Sequence, residues 1–174
     1  GETEPKATYY WSTYKWCNGS QNTLTKYNHS SSCGTVDNKT QLELSDDAAR
    51  VNWGGSWRMP TDTEFTELRE QCTWTWTTQN GVQGYVVKSK RNGNSIFLPT
   101  AGYKNKLDLG GGGHYWTSRL TTIFYPGFAC ACVFYSDEVR LTPEGSRDYG
   151  YSIRPVTTLS SVDPTPKSYT IAVY

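Results

Sequence analysis

Apolar positions in the first forty residues follow no fixed period. They are Tyr and Trp scattered among polar, turn-forming stretches such as Cys17-Asn18-Gly19-Ser20 and Ser30-Ser31-Ser32, which predicts irregular structure with aromatic anchors. A short helix is expected to open at Ser45-Asp46-Asp47, where a small polar side chain caps free N–H groups and the aspartates oppose the positive dipole end. Ala48, Ala49 and Trp53 continue it, and Gly54-Gly55 stop it. A second helix is signalled more strongly. Thr61-Asp62-Thr63-Glu64 has capping-box spacing directly after Pro60, and Phe65, Leu68 and Cys72 follow as one apolar stripe.

The period then falls to two. Trp74 and Trp76 alternate with threonines until Asn80-Gly81 turns the chain. Tyr85 to Ser89 and Ser95 to Leu98 flank Arg91-Asn92-Gly93-Asn94, a hairpin whose Asn-Gly supplies the positive φ angles of a tight turn. Lys104 to Gly113 ends in four glycines and reads as a flexible loop. His114 to Ser118, Phe128 to Tyr135 and Tyr151 to Val156 read as three further strands separated by long polar loops. Residues 157–167 carry Thr-Thr, Ser-Ser and two prolines, a linker, and 168–174 form a last strand. Two early helices and many later strands predict an α+β domain. No internal repeat is present.

Composition narrows the class. The chain has 174 residues, enough for one domain, and 14% of them are aromatic, including seven Trp and thirteen Tyr. Large rings therefore replace missing aliphatic area, and a core is expected. Lys and Arg number 17 against 16 acidic residues, and no basic block exceeds Lys88 to Arg91, so no nucleic-acid partner is expected. No window reaches the ~18–20 consecutive apolar residues of a membrane span. The opening GETEPKATYY has neither a basic n-region nor an apolar h-region, so this chain is expected to carry no signal peptide and reads as an excised fragment. The cysteines at 17, 33, 72, 130 and 132 are odd in number and show no paired zinc spacing, so no cofactor or metal is expected. Asn18-Gly-Ser, Asn28-His-Ser and Asn38-Lys-Thr match the glycosylation sequon as a by-product of Ser/Thr-rich composition.

Asp46 to Pro60 (DDAARVNWGGSWRMP), together with CTWTWTTQNGVQGY (72–85), NGNSIFLPTAGY (92–103), HYWTS (114–118), YGYSIRPV (149–156) and the early GETEPK and STYKWCNGS, resembles the Fibrobacter succinogenes major paralogous domain family. The likeness runs over roughly residues 1–156. It implies a C-type-lectin-like fold, two short helices with antiparallel sheets and long irregular loops, on a secreted or surface-anchored protein of bacterial or phage origin. It implies a binding scaffold and no defined chemistry.

Two departures from the family pattern bear on function. The strand that precedes GETEP in the family is absent, so Tyr151 to Val156 is expected to lack its neighbour, an edge hazard. The tail Tyr169 to Tyr174 would fold back into that place, another chain would fill it by strand exchange, or the tail begins a next domain. Secondly, between Trp116 and Arg154 the family commonly shows Asn, Ser and Tyr. Here the run is Ile123 to Cys132, then Asp137, Glu138, Arg140, Leu141 and Glu144, in no helical or strand order. This looks like the variable region of proteins diversified by a retroelement that mutates adenines. Phe128, Cys130, Cys132 and Phe134 share one strand face, which favours core. Ile123, Phe124 and Tyr125, beside Pro126, cannot all point inward and are expected to be exposed.

Catalysis finds no support. The Glu-Pro-Asn or Gln-Pro-Asp loop of calcium-dependent lectins is absent, and Asp137 and Glu138 read as a solvated loop. Cys130-Ala131-Cys132 lacks the longer spacing of the redox pair in formylglycine-generating enzymes, and thiols two apart on a strand make a strained disulfide. His29 and His114 lie in no nucleophile elbow, and GGGGH is no phosphate cradle. The expected function is non-catalytic binding of a macromolecular ligand, protein or glycan, of the adhesin or receptor-binding type. Its face would comprise His114, Arg119, Ile123, Phe124, Tyr125, Phe128, Tyr135, Asp137, Glu138, Arg140, Leu141, Arg147 and Tyr149. Trp53, Trp57, Phe65, Leu68, Trp74, Trp76, Ile96, Phe97, Leu98, Trp116, Ile153 and Val156 would form the interior. The alternative is a fimbrial-tip or surface-lipoprotein assembly module that exchanges strands.

Overall fold

In the computed structural model, which describes residues 6–104 and 109–158, both helices begin where side chains can cap them. Helix α1 (Ala48–Trp53) is capped by Asp47, whose carboxylate accepts from the Arg50 N–H at 3.0 Å, and it ends at Gly54. Helix α2 (Asp62–Gln71) carries the complete capping box. Thr61 Oγ1 accepts from the Glu64 N–H, and Glu64 Oε2 accepts from the Thr61 N–H. Arg58 grips the same carboxylate with both guanidinium nitrogens, at 2.7 and 2.6 Å. The pair and the cap hold the Glu64 carboxyl down at about 2.

The first sheet is the meander β1 (Cys72–Gln79), β2 (Val82–Ser89) and β3 (Ser95–Pro99). Asn80 and Gly81, at φ 50° and 81°, make the two-residue turn between the first two. Register places Trp76, Tyr85 and Leu98 side by side, and Trp74, Val87 and Ile96 beside them, all on one face. Strands β4 (Tyr103–Lys104) and β5 (Leu109–Gly110) form a small pair where a glycine-rich loop was expected. The third sheet joins β6 (Gly113–Leu120), β7 (Phe128–Phe134) and β8 (Val139–Ser146). Tyr115, Cys132 and Leu141 are neighbours across it and face the first sheet. The main core lies between, built on Phe65, Tyr85, Val87, Leu98, Tyr115, Cys132 and Phe134. The α+β class is therefore as expected.

Other expectations are corrected. The run Val139–Ser146, read as loop, is an edge strand. Pro143 hides it from pattern reading, yet Pro143 and Glu144 both stand opposite Cys130, between the pairs Ala129–Gly145 and Ala131–Thr142. That bulge tolerates a residue with no N–H to donate. Conversely, Tyr151 to Val156 is no strand. It bridges Tyr115 through Ser152 and Arg58 through Val156, so this segment has neighbours within the chain. Strand β6 also bulges after Trp116. Between Trp116 and Leu120, which pairs again with Ala129, the strand departs from the β7 ladder, with Ser118 donating to the Pro60 carbonyl and accepting from Leu42.

Of the expected interior, Phe65 and Leu98 are buried, while Trp57, Leu68, Trp74, Trp76, Ile96, Phe97, Trp116, Ile153 and Val156 are half-buried. Trp53 is 37% exposed, because its ring packs edge-on against Trp57 at the surface, just before Gly54 ends the helix. Buried residues that the irregular N-terminal pattern concealed include Leu24, Tyr27 and Cys33. Asn28, within a sequon, is fully buried. Thr157 and Thr158 are described, but the rest of the expected linker, the strand over 168–174 and residues 1–5 lie outside the described residues. No helix among the described residues is long and apolar enough to cross a membrane.

Candidate functional site

The β6–β7 loop is built from its base upward. Thr121 is buried, and its Oγ1 accepts from the N–H groups of both Ile123 and Phe124 at 3.4 Å, which shapes the turn. Phe128 N–H closes the loop onto the Tyr125 carbonyl at 2.9 Å. Arg147 holds it from behind, through its main-chain N–H to the Gly127 carbonyl at 2.9 Å and its guanidinium to the Pro126 carbonyl. The Tyr125 hydroxyl reaches Asn22 Oδ1, and burial beside the Cys33 thiol pushes that hydroxyl up to about 12. Above these anchors Ile123 is 77% exposed and Phe124 41%. Tyr125 and Phe128 are half-buried and meet edge to face. Of the three consecutive bulky residues, two face solvent and the third is tied down.

The thirteen candidate residues do not form one face. Strand β7 has Ile123, Phe124, Tyr125, Phe128 and Arg147 at its start and Tyr135, Asp137, Glu138 and Arg140 at its end. Six strand steps place these ends about 20 Å apart. The second group sits on the β7–β8 turn, exposed, with the Arg140 guanidinium 3.8 Å from Glu138. Leu141 packs on the main core rather than on a surface, because it lies beside Cys132 across the sheet. Arg119 is exposed and paired with Asp62 at 3.2 Å.

Burial also removes His114 from any exposed face. It is 4% exposed, inside a nest of Tyr103, Tyr135 and Tyr151 rings, and Tyr149 stacks on Tyr103. Its Nδ1 has no partner among the described residues, and burial pushes its pKa down to about 4. Arg147 is likewise only 7% exposed.

A cavity of about 370 Å³ adjoins the β6–β7 loop, and the sequence reading missed it. Its walls include Tyr9, Tyr14 and Trp16 from the N-terminal segment, facing Trp116 and Tyr151. Those two rings stack at 4.2 Å. Gly145 is what admits that stack, since a Cβ there would stand 2.5 Å from the Trp116 ring. The only advance signal was the ring density of the first twenty residues, which a core reading absorbs equally well.

All five cysteines are free. Among the described residues no group of three or more His, Cys, Asp or Glu side chains could hold a metal ion. Comparison of the chain with family models, with curated proteins and with solved structures returned no match.

Proposed function

We propose that this chain is a non-catalytic binding domain of C-type-lectin-like fold, displayed on a bacterial or phage surface, whose β6–β7 loop engages a macromolecular ligand. One observation carries the reading: a loop anchored by Thr121, Tyr125 and Arg147 that nevertheless leaves Ile123 and Phe124 in solvent. Exposing apolar side chains on a held backbone favours association, because little entropy is lost when a partner covers them. Retroelement diversification of the loops belongs to the same reading. Its test is the DNA downstream of the gene, where a near-copy of codons 115–155 should differ only at adenines.

The binding test is the double substitution Ile123→Ser with Phe124→Ser. It should leave the melting temperature within about 2 °C, as surface changes do. In quantitative pull-downs from cell-surface extracts, partners held by the unaltered domain should be lost. Unchanged capture with an unchanged melting temperature refutes the loop's role. Assembly by strand exchange has less support, since Ser152 and Val156 already have backbone partners within the chain. A persistent oligomer in size-exclusion chromatography would restore it.

A further inference from the structure

Arg147 is a buried cation whose side-chain partners are neutral. Its guanidinium meets the Tyr14 hydroxyl at 3.5 Å and the Pro126 carbonyl, lies 5.7 Å from the Tyr14 ring centroid, and leaves Nε without a partner among the described residues. No carboxylate among the described residues comes within 4 Å of it. Burying a charge unpaired is costly, and Arg147 lines the cavity. Three of the other charges there are paired. Asp46 takes Lys26 at 2.6 Å and Lys15 at 3.7 Å, and Arg119 takes Asp62.

Asp148 lines the same cavity and is also buried. Ser146 donates to its Oδ1 at 2.5 Å, and among the described residues no hydrogen bond reaches Oδ2. One wall thus offers an unanswered cation for a carboxylate and an acceptor for hydroxyl groups. The remaining walls offer rings and tyrosine hydroxyls. The volume lies at the small end of ligand pockets, about 300–1,000 Å³.

We propose that this cavity binds a carboxylate-bearing sugar of the hexuronic acid class. The carboxylate pairs with Arg147, ring hydroxyls donate to Asp148, and the apolar face of the sugar stacks on the aromatic wall. A peptide carboxyl terminus would satisfy the arginine but brings no cluster of hydroxyls for Asp148 and the tyrosines. The site is separate from the exposed side chains of the β6–β7 loop and stands whether or not that loop binds a partner.

Isothermal titration at pH 7 with methyl β-D-glucuronide and methyl β-D-glucoside reads the arginine directly, since the two differ only at the carboxylate. The glucuronide should bind about tenfold tighter or more, the effect of a charge-assisted hydrogen bond. Equal affinities, or no heat from either sugar at millimolar concentration, overturn the proposal. So does acetyl-triglycine outcompeting the glucuronide, which would make this a peptide site. Replacing Arg147 would also loosen Pro126, so location is tested by Tyr9→Ala, which strips one wall only. It should weaken glucuronide binding several-fold in a variant that still melts cooperatively above the assay temperature, while Val82→Ser on the first hairpin does not. The reverse pattern places the sugar elsewhere and overturns the assignment.

Discussion

Asp47 joins helix α1 to the segment that supports β6, and removing its carboxylate should separate the two contributions. The side chain is 2% exposed, and its oxygens have different tasks. Oδ1 accepts from the Arg50 N–H at 3.0 Å and caps the helix, while Oδ2 accepts from the Met59 N–H at 2.8 Å. Met59 leads into Pro60, whose carbonyl receives the Ser118 N–H from the bulged half of β6. Asp47→Ala loses a cap, typically about 1 kcal/mol. It also leaves a buried Met59 N–H unpaired, about 1–3 kcal/mol. The total is about 2–4 kcal/mol, or a melting temperature lower by about 6–12 °C in a domain of this size. Asp47→Asn keeps one acceptor and should lose about half as much. Calorimetry gives the totals, and hydrogen exchange should show Met59 deprotected in both variants. Equal losses for Ala and Asn, or a loss below about 0.5 kcal/mol for Ala, would refute the two-bond account.

Two further outcomes follow from burial. His114 is held neutral in the fold with a pKa of about 4, below its ordinary value of 6.5. The unfolded chain therefore binds the extra proton first, and stability falls as pH drops below 6.5, by about 2.5 kcal/mol at pH 4.5. Urea midpoints between pH 7 and 4.5 measure this, and His114→Phe should flatten the slope; an equal slope in that variant assigns the effect to other groups. Gly145→Ala should force the Trp116–Tyr151 stack apart, at about 1–3 kcal/mol of overpacking, with a changed near-ultraviolet dichroism signal. An unaltered spectrum and melting temperature would mean that the rings move aside freely.

The loop at 123–125 shows how far pattern reading reaches into an exposed loop. Alternation excludes three consecutive inward side chains, and the structure does leave Ile123 and Phe124 outside. It cannot tell which of the three is the anchor, because Tyr125 is retained by Asn22, about a hundred residues away in sequence. Arg140 and Leu141 are adjacent in sequence and look alike as loop residues. Register with β7 sends the first to solvent and the second to the core.

Thr61 with Glu64, a helix start at Ser45-Asp46-Asp47, and Asn80-Gly81 were legible in the amino-acid order alone, because a cap or a tight turn is completed within about four residues. Pairing of β8 across a proline bulge, burial of His114 and Arg147, and the ringed cavity beside the β6–β7 loop were decided only in three dimensions. Each depends on segments far apart in the chain meeting at one place, and no local spacing encodes which rings and charges will meet there.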